Sequence, residues 1–181
     1  MAAVGATGSL VNLLVNLFMG LSVGASVVVA QEYGARSQRG VTRAVHTAMT
    51  LSIIGGLAVT ALGLFLSRPM LELMGTPDNV IDQSVLYMRI YFLGMPGNML
   101  YNFGAAIMRS VGDTKRPLYY LTLAGVINII LNIVTVAAFG MGVAGVALAT
   151  IVSQYISAAL VTLNLIRSHG SVHLDVKKLR I

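Results

Sequence analysis

The amino-acid sequence predicts an all-α integral membrane protein with five transmembrane helices. Three observations carry that expectation. Hydrophobic residues make up 56% of the chain and charged residues only 10%, against about 25% charge in a soluble domain. The apolar residues fall into runs long enough to cross a bilayer, without the two-residue alternation of a membrane β-barrel. The charges gather in short connections between those runs, as membrane topology requires. The formal charge of +6 is thereby explained without nucleic acid.

The spans follow in order. Residues 1–31 form an uncharged run longer than a bilayer requires, so this helix tilts or projects at one end. It holds Gly20 and Gly24 beside Ser22 and Ser26. Small residues four apart let helix backbones approach closely, although such pairs also arise by chance in glycine-rich spans. A polar connection with Arg36, Arg39 and Arg43 leads to the second span, residues 44–67. His46 lies in its first turn and reads as a solvated helix-end residue, with a proton relay as the rarer alternative. In the next connection, residues 69–74 are expected to form a short interfacial helix closed by Gly75. Thr76-Pro77 then resembles an N-cap followed by proline at the first helical position, with Asp78 suited to the helix dipole.

The third span covers residues 84–108. Arg89 snorkels, and Pro96 between Gly94 and Gly97 kinks or loosens the helix near its middle. Interrupted helices mark binding sites or hinges in transporters, but a packing kink is the plainer alternative. The fourth span, residues 118–139, follows a basic connection. The fifth, residues 143–166, follows the turn at Gly140-Met141-Gly142. One membrane domain thus fills residues 1–166, and residues 167–181 form a basic tail.

Alternate connections differ in charge. The first, the third and the tail hold ten of the twelve Lys and Arg residues. The second mixes Arg68 with Glu72, Asp78 and Asp82, and the fourth is uncharged. The positive-inside rule makes the basic side cytoplasmic, which puts the N-terminus outside and the tail inside. The chain then starts within an apolar helix on the outer side, so one more helix is expected ahead of Met1. No cleavable signal is evident, since Met1 is followed at once by apolar sequence without a basic segment.

The residues present exclude most catalytic classes. With no Cys there is no disulfide frame, thiolate metal site or Cys nucleophile. Hydrolase, metalloprotease, P-loop and dinucleotide-binding motifs are absent. No Asp or Glu lies deep in a span, and Glu32 and Asp113 at span ends read as solvated or loop-capping residues. The chain is therefore expected to be no enzyme and to need no cofactor or metal.

What the spans do hold is paired neutral polar groups. Asn12 and Asn16, Asn98 and Asn102, Asn128 and Asn132, and Thr150 and Gln154 are each four apart. Each pair occupies one helix face. An unpartnered carboxamide in lipid costs several kcal/mol, so these faces must turn to other helices or to a wet cavity. Interhelical hydrogen bonding is one reading. The other is a hydrated cavity for a polar or cationic solute, centred on Asn102, Asn128, Asn132 and Thr150. Tyr87 and Tyr91 are one turn apart and serve either as an interfacial belt or as an aromatic face for an organic cation. Ten Met residues add a polarizable lining or plain filler.

The runs AAVGATGSLVNLLVNLFMGLSVGASVVVAQEYGA, MGTP, RIYFLGMPGNMLYNFGAAIMRSVGDTKRP, AGVINIILNI and GVAGVALATIVSQ, in that order, resemble the multidrug and toxic compound extrusion (MATE) family. The likeness reaches to about Arg167. It implies five helices of an N-terminal six-helix lobe, lacking the first helix and the C-terminal lobe. It also implies a part in exporting organic cations or drugs in exchange for protons or sodium, by alternating access. The partners implied are membrane lipid, small organic cations or drugs, and the missing helices; the implied location is a bacterial plasma membrane.

Matched by motif, a cation-coupling network of some members falls on Asn102, Asn128, Asn132 and Thr150, with Tyr87 at a nearby aromatic position. Two departures matter. Those members carry an acidic residue where this chain has Asn132, and the family's first-helix acidic residue would precede Met1. Proton or sodium coupling by this chain is accordingly in question. Two other readings stay open: a transport-incompetent fragment or assembly partner, and a related lipid-linked sugar flippase. The spans hold Arg89 alone among cationic residues, which suits cations or neutral solutes better than an anionic lipid-linked sugar.

Overall fold

Backbone hydrogen bonding in an apolar environment leaves the chain little choice but helix. The computed structural model describes residues 2–168 and 172–175, with side chains from Val15 onward except at position 143. In chain order the elements are α1 (Ala2–Gly34), α2 (Gln38–Leu73), α3 (Asp78–Leu93), α4 (Met95–Ser110), α5 (Lys115–Asn132), a π-helix (Ile133–Ala138) and α6 (Gly142–Arg167). Val15–Gly34, Gln38–Leu73, Lys115–Ala138 and Ala144–Arg167 are each long and apolar enough to cross a bilayer. α3 and α4 are 16 residues each and divide the expected third span between them.

That division has a local cause. Pro96 has no N–H, so the Phe92 carbonyl four residues earlier receives no helical donor. The helix stops at Leu93, and Pro96 falls in the first turn of α4, where a missing N–H costs nothing. The freed carbonyls are taken by neighbouring helices. The Thr60 hydroxyl of α2 donates to Phe92 O at 2.8 Å, and the Tyr155 hydroxyl of α6 donates to Leu93 O at 2.6 Å.

α4 is the central element. It packs against α1 and α2 on one side and α6 on the other, while α5 lies against α6. Phe103, Ala105 and Ile107 of α4 are fully enclosed. The main core gathers Val29, Val45, Met49, Phe103, Ile107 and Leu165 near the basic end of the bundle. Close approach of α2 to α4 depends on Gly56, where a Cβ would stand 2.6 Å from Cα of Pro96.

Several local expectations need correction. Residues 69–74 form no separate interfacial helix: α2 continues through Pro69 to Leu73. Pro77, not Thr76, holds the cap position of α3, and the helix begins at Asp78. Gly20 and Gly24 meet no helix among the described residues, since none of these lies within 4 Å of where a Cβ would stand on either. They line an open apolar groove of about 770 Å³ between α1 and α2. Asn16 also lines that groove, while the side chain of Asn12 lies outside the described residues.

His46 is not solvated. It is 5% exposed, with Nδ1 2.7 Å from the Thr42 carbonyl and Nε2 accepting the Asp175 N–H at 3.0 Å. The described part of the tail folds back onto the bundle. Leu174 is 2% exposed within the main core, and its N–H donates to the Leu165 carbonyl at 3.1 Å. Lys177, Lys178 and Arg180 lie outside the described residues.

Candidate functional site

Asn128 and Asn132 sit in the last turns of α5, on the side facing α6. One amide chain joins them to that helix. Asn132 Nδ2 donates to Asn128 Oδ1 at 3.0 Å, and Asn128 Nδ2 donates to Ser153 Oγ at 3.3 Å. Ser153 Oγ in turn donates to the Thr150 carbonyl at 2.7 Å. The Thr150 hydroxyl is spent within its own helix, on Val146 O at 2.9 Å. Every donor points one way along this chain, which leaves an acceptor at its end. Asn132 Oδ1 is buried and has no hydrogen-bond partner among the described residues.

The other sequence-derived candidates stand apart from this chain. Asn102 Nδ2 donates to Asn98 O at 2.9 Å and to Asn98 Oδ1 at 2.6 Å, both within α4. No hydrogen bond among the described residues links it to Asn128, Asn132 or Thr150. Tyr87 stacks on Tyr91 in α3 with ring centroids 6.3 Å apart and planes 19° apart, and its ring is partly exposed. Gln154 lies beside Gly94, at the break between α3 and α4.

Ser153 was not foreseen. It lies three residues from Thr150 on the same helical face, and a search for polar neighbours at that spacing would have found it. The π-helix that follows Asn132 was also unforeseen. There Thr135 Oγ1 donates to Leu131 O at 2.8 Å, and the Met141 N–H reaches back to Thr135 O at 3.0 Å. The chain thus widens immediately after the buried acceptor.

Among the described residues no three His, Cys, Asp or Glu side chains gather into a metal-binding group. The chemistry on offer is neutral: amide oxygens and hydroxyls that can solvate a cation, a water or an N–H or O–H donor.

The MatE family model matches residues 1–134. The chain belongs to the MATE family. The probable multidrug resistance protein YoeA of Bacillus subtilis (strain 168) is 35% identical over 157 residues, covering 84% of this chain and 34% of that protein. The FAD transporter of Shewanella oneidensis is 30% identical over 144 residues, covering 75% of this chain and 31% of its own length. Among solved structures, a crystal structure of MATE in the bent conformation superposes with a TM-score of 0.88 at 26% identity, covering 99% of this chain and 40% of that one. The chain therefore spans about a third of the curated relatives and two fifths of the solved one. This MATE chain is an all-helical, multi-pass membrane protein.

Proposed function

We propose that this chain forms part of a multidrug or organic-cation efflux transporter, and that the Asn128–Asn132–Ser153–Thr150 chain walls a cavity taking a polar or cationic solute or ion. Its relatives' fold extends well beyond the length shared with this chain, so it acts as part of a larger helical assembly that rocks by alternating access. Asn102 and Tyr87 contribute from α4 and α3 as a second, separate polar and aromatic surface. The basic side faces the cytoplasm of a bacterial cell, in keeping with its Lys and Arg distribution.

The observation that carries the reading is the buried, unpartnered Asn132 Oδ1. An amide oxygen without a donor at membrane depth costs about 1–3 kcal/mol, and a bound cation, water or solute donor would recover that cost. Sodium suits neutral oxygen ligands. A carboxylate is the usual group for proton coupling, and no Asp or Glu lies deep in a span of this chain, so a proton-coupled step would draw on an acidic group elsewhere in the assembly.

The test is Asn128→Leu and Asn132→Leu in the full-length transporter. Drug resistance should fall about tenfold while protein level in the membrane holds. Unchanged resistance would remove these residues from the mechanism. A parallel assay of cells making only residues 1–181 should show no efflux, and robust ion-dependent efflux would overturn the assembly reading.

A further inference from the structure

A second cavity, of about 350 Å³, lies where the end of α4, the start of α5 and the end of α6 meet. Asp113, Arg116, Asn164, Arg167 and Ser168 supply its polar lining, beside apolar residues that include Leu165. None of these groups belongs to the amide chain described above. Arg109, Lys115, Arg116 and Arg167 all sit at this edge of the bundle.

The charges leave an unbalanced cation. Asp113 is committed to Arg116: Oδ1 accepts the Arg116 backbone N–H at 3.2 Å, and Oδ2 lies 3.5 Å from its Nε. That contact uses one of the guanidinium's five N–H donors. Arg167 forms no ion pair among the described residues. The cavity lining therefore holds two guanidiniums and one carboxylate, which is paired with Arg116.

The helix ends do not reverse the sign. The carbonyl ends of α4 and α6 would favour a cation, but some of their last carbonyls are already bonded. Asp113 N–H donates to Met108 O, Ser168 N–H and Oγ both donate to Asn164 O, and Leu174 N–H donates to Leu165 O. What the wall still offers is donors, in the planar forks that match phosphate oxygens.

Depth decides which phosphate. Lys115 opens one candidate membrane span and Arg167 closes another, so the cavity lies at the level of lipid headgroups. Its apolar lining, Met108, Val111, Leu165 and Val172, suits the start of a lipid's acyl chains. We propose that this cavity binds the phosphate of an anionic phospholipid, with Arg116 and Arg167 as its guanidinium ligands. This does not depend on the transport reading.

The experiment is native mass spectrometry of the full chain purified in detergent, with phosphatidylglycerol and phosphatidylcholine of identical acyl chains. Wild type should retain phosphatidylglycerol at least tenfold better than Arg116→Gln/Arg167→Gln, with phosphatidylcholine retention low in both. Arg36→Gln/Arg39→Gln removes the same charge from the same edge, outside the cavity, and should retain the lipid as wild type does. Ser168→Asp keeps both guanidiniums but adds a negative charge to the wall, and it should also lower retention. Equal retention by wild type and the Arg116/Arg167 variant would overturn the site. Equal loss in the Arg36/Arg39 variant would show unlocalised attraction and overturn it too. Full displacement by millimolar inorganic phosphate would identify free phosphate, not lipid, as the ligand.

Discussion

A methyl group added at Gly56 would meet the backbone of Pro96 at 2.6 Å, where no flexible side chain can give way. The same methyl at Gly20 meets none of the described residues within 4 Å. Both residues are glycines in uncharged stretches with a small residue four away, Ser52 for the first and Gly24 for the second, so spacing alone does not tell them apart. Composition reports which residues are small, whereas the partner that makes smallness necessary is distant in the chain. Overpacking of this kind costs about 1–3 kcal/mol. Gly56→Ala should lower the thermal midpoint in detergent by several degrees, and Gly20→Ala should leave it within about one degree. Equal midpoints for the two variants would mean that α2 and α4 can separate freely at Pro96. His46 teaches the same lesson. Its place near a helix start suggested solvent, but the backbone of residue 175 covers it, and no local pattern announces a contact 129 residues away.

The helices themselves were legible because each apolar run must satisfy its own backbone in lipid. Their ends were less so. Hydropathy marks where the membrane stops, while helical hydrogen bonding continues into polar flanks, as α2 does on both sides of residues 44–67. Pro96 was legible as a disturbance, yet its consequence depends on two hydroxyls from other helices. Thr60 serves both Gly56 O at 2.9 Å and Phe92 O at 2.8 Å with one proton. Removing it leaves Phe92 O without a donor, at a cost of about 1–3 kcal/mol. A double-mutant cycle isolates this link. Thr60→Val should destabilise the wild-type chain by about 1–2 kcal/mol, and distinctly less in a Pro96→Ala background, where residue 96 regains an N–H. Additive effects would show that the Thr60 hydroxyl does not compensate for the proline.

The amide chain was half legible. Asn128 and Asn132 stood out as paired carboxamides in an uncharged run, Thr150 and Asn102 stood out by the same four-residue spacing, and the family resemblance fell on all four. The structure ties the first three together through Ser153 and leaves Asn102 bonded to Asn98 within α4. Spacing along a helix fixes a face, but which faces meet depends on how the whole bundle packs.

That packing is uneven. α4 is enclosed by α1, α2 and α6, whereas α5 is held mainly by α6 and buries only Pro117 and Ala124. The least supported helix is thus the one that carries Asn128 and Asn132, and a π-helical segment follows it directly. Short segments of this wider geometry are frequent at functional sites. Local opening costs least where few buried contacts must be broken. In a nanodisc, which shields all spans from water alike, amide hydrogen exchange along α5 and residues 133–138 should run at least tenfold faster than along residues 103–108 of α4. Adding a solute or ion that binds the Asn132 oxygen should slow exchange in α5 selectively, because it ties a loose helix to a group it now lacks. Exchange that is equally slow in both helices would make α5 a rigid wall of the bundle.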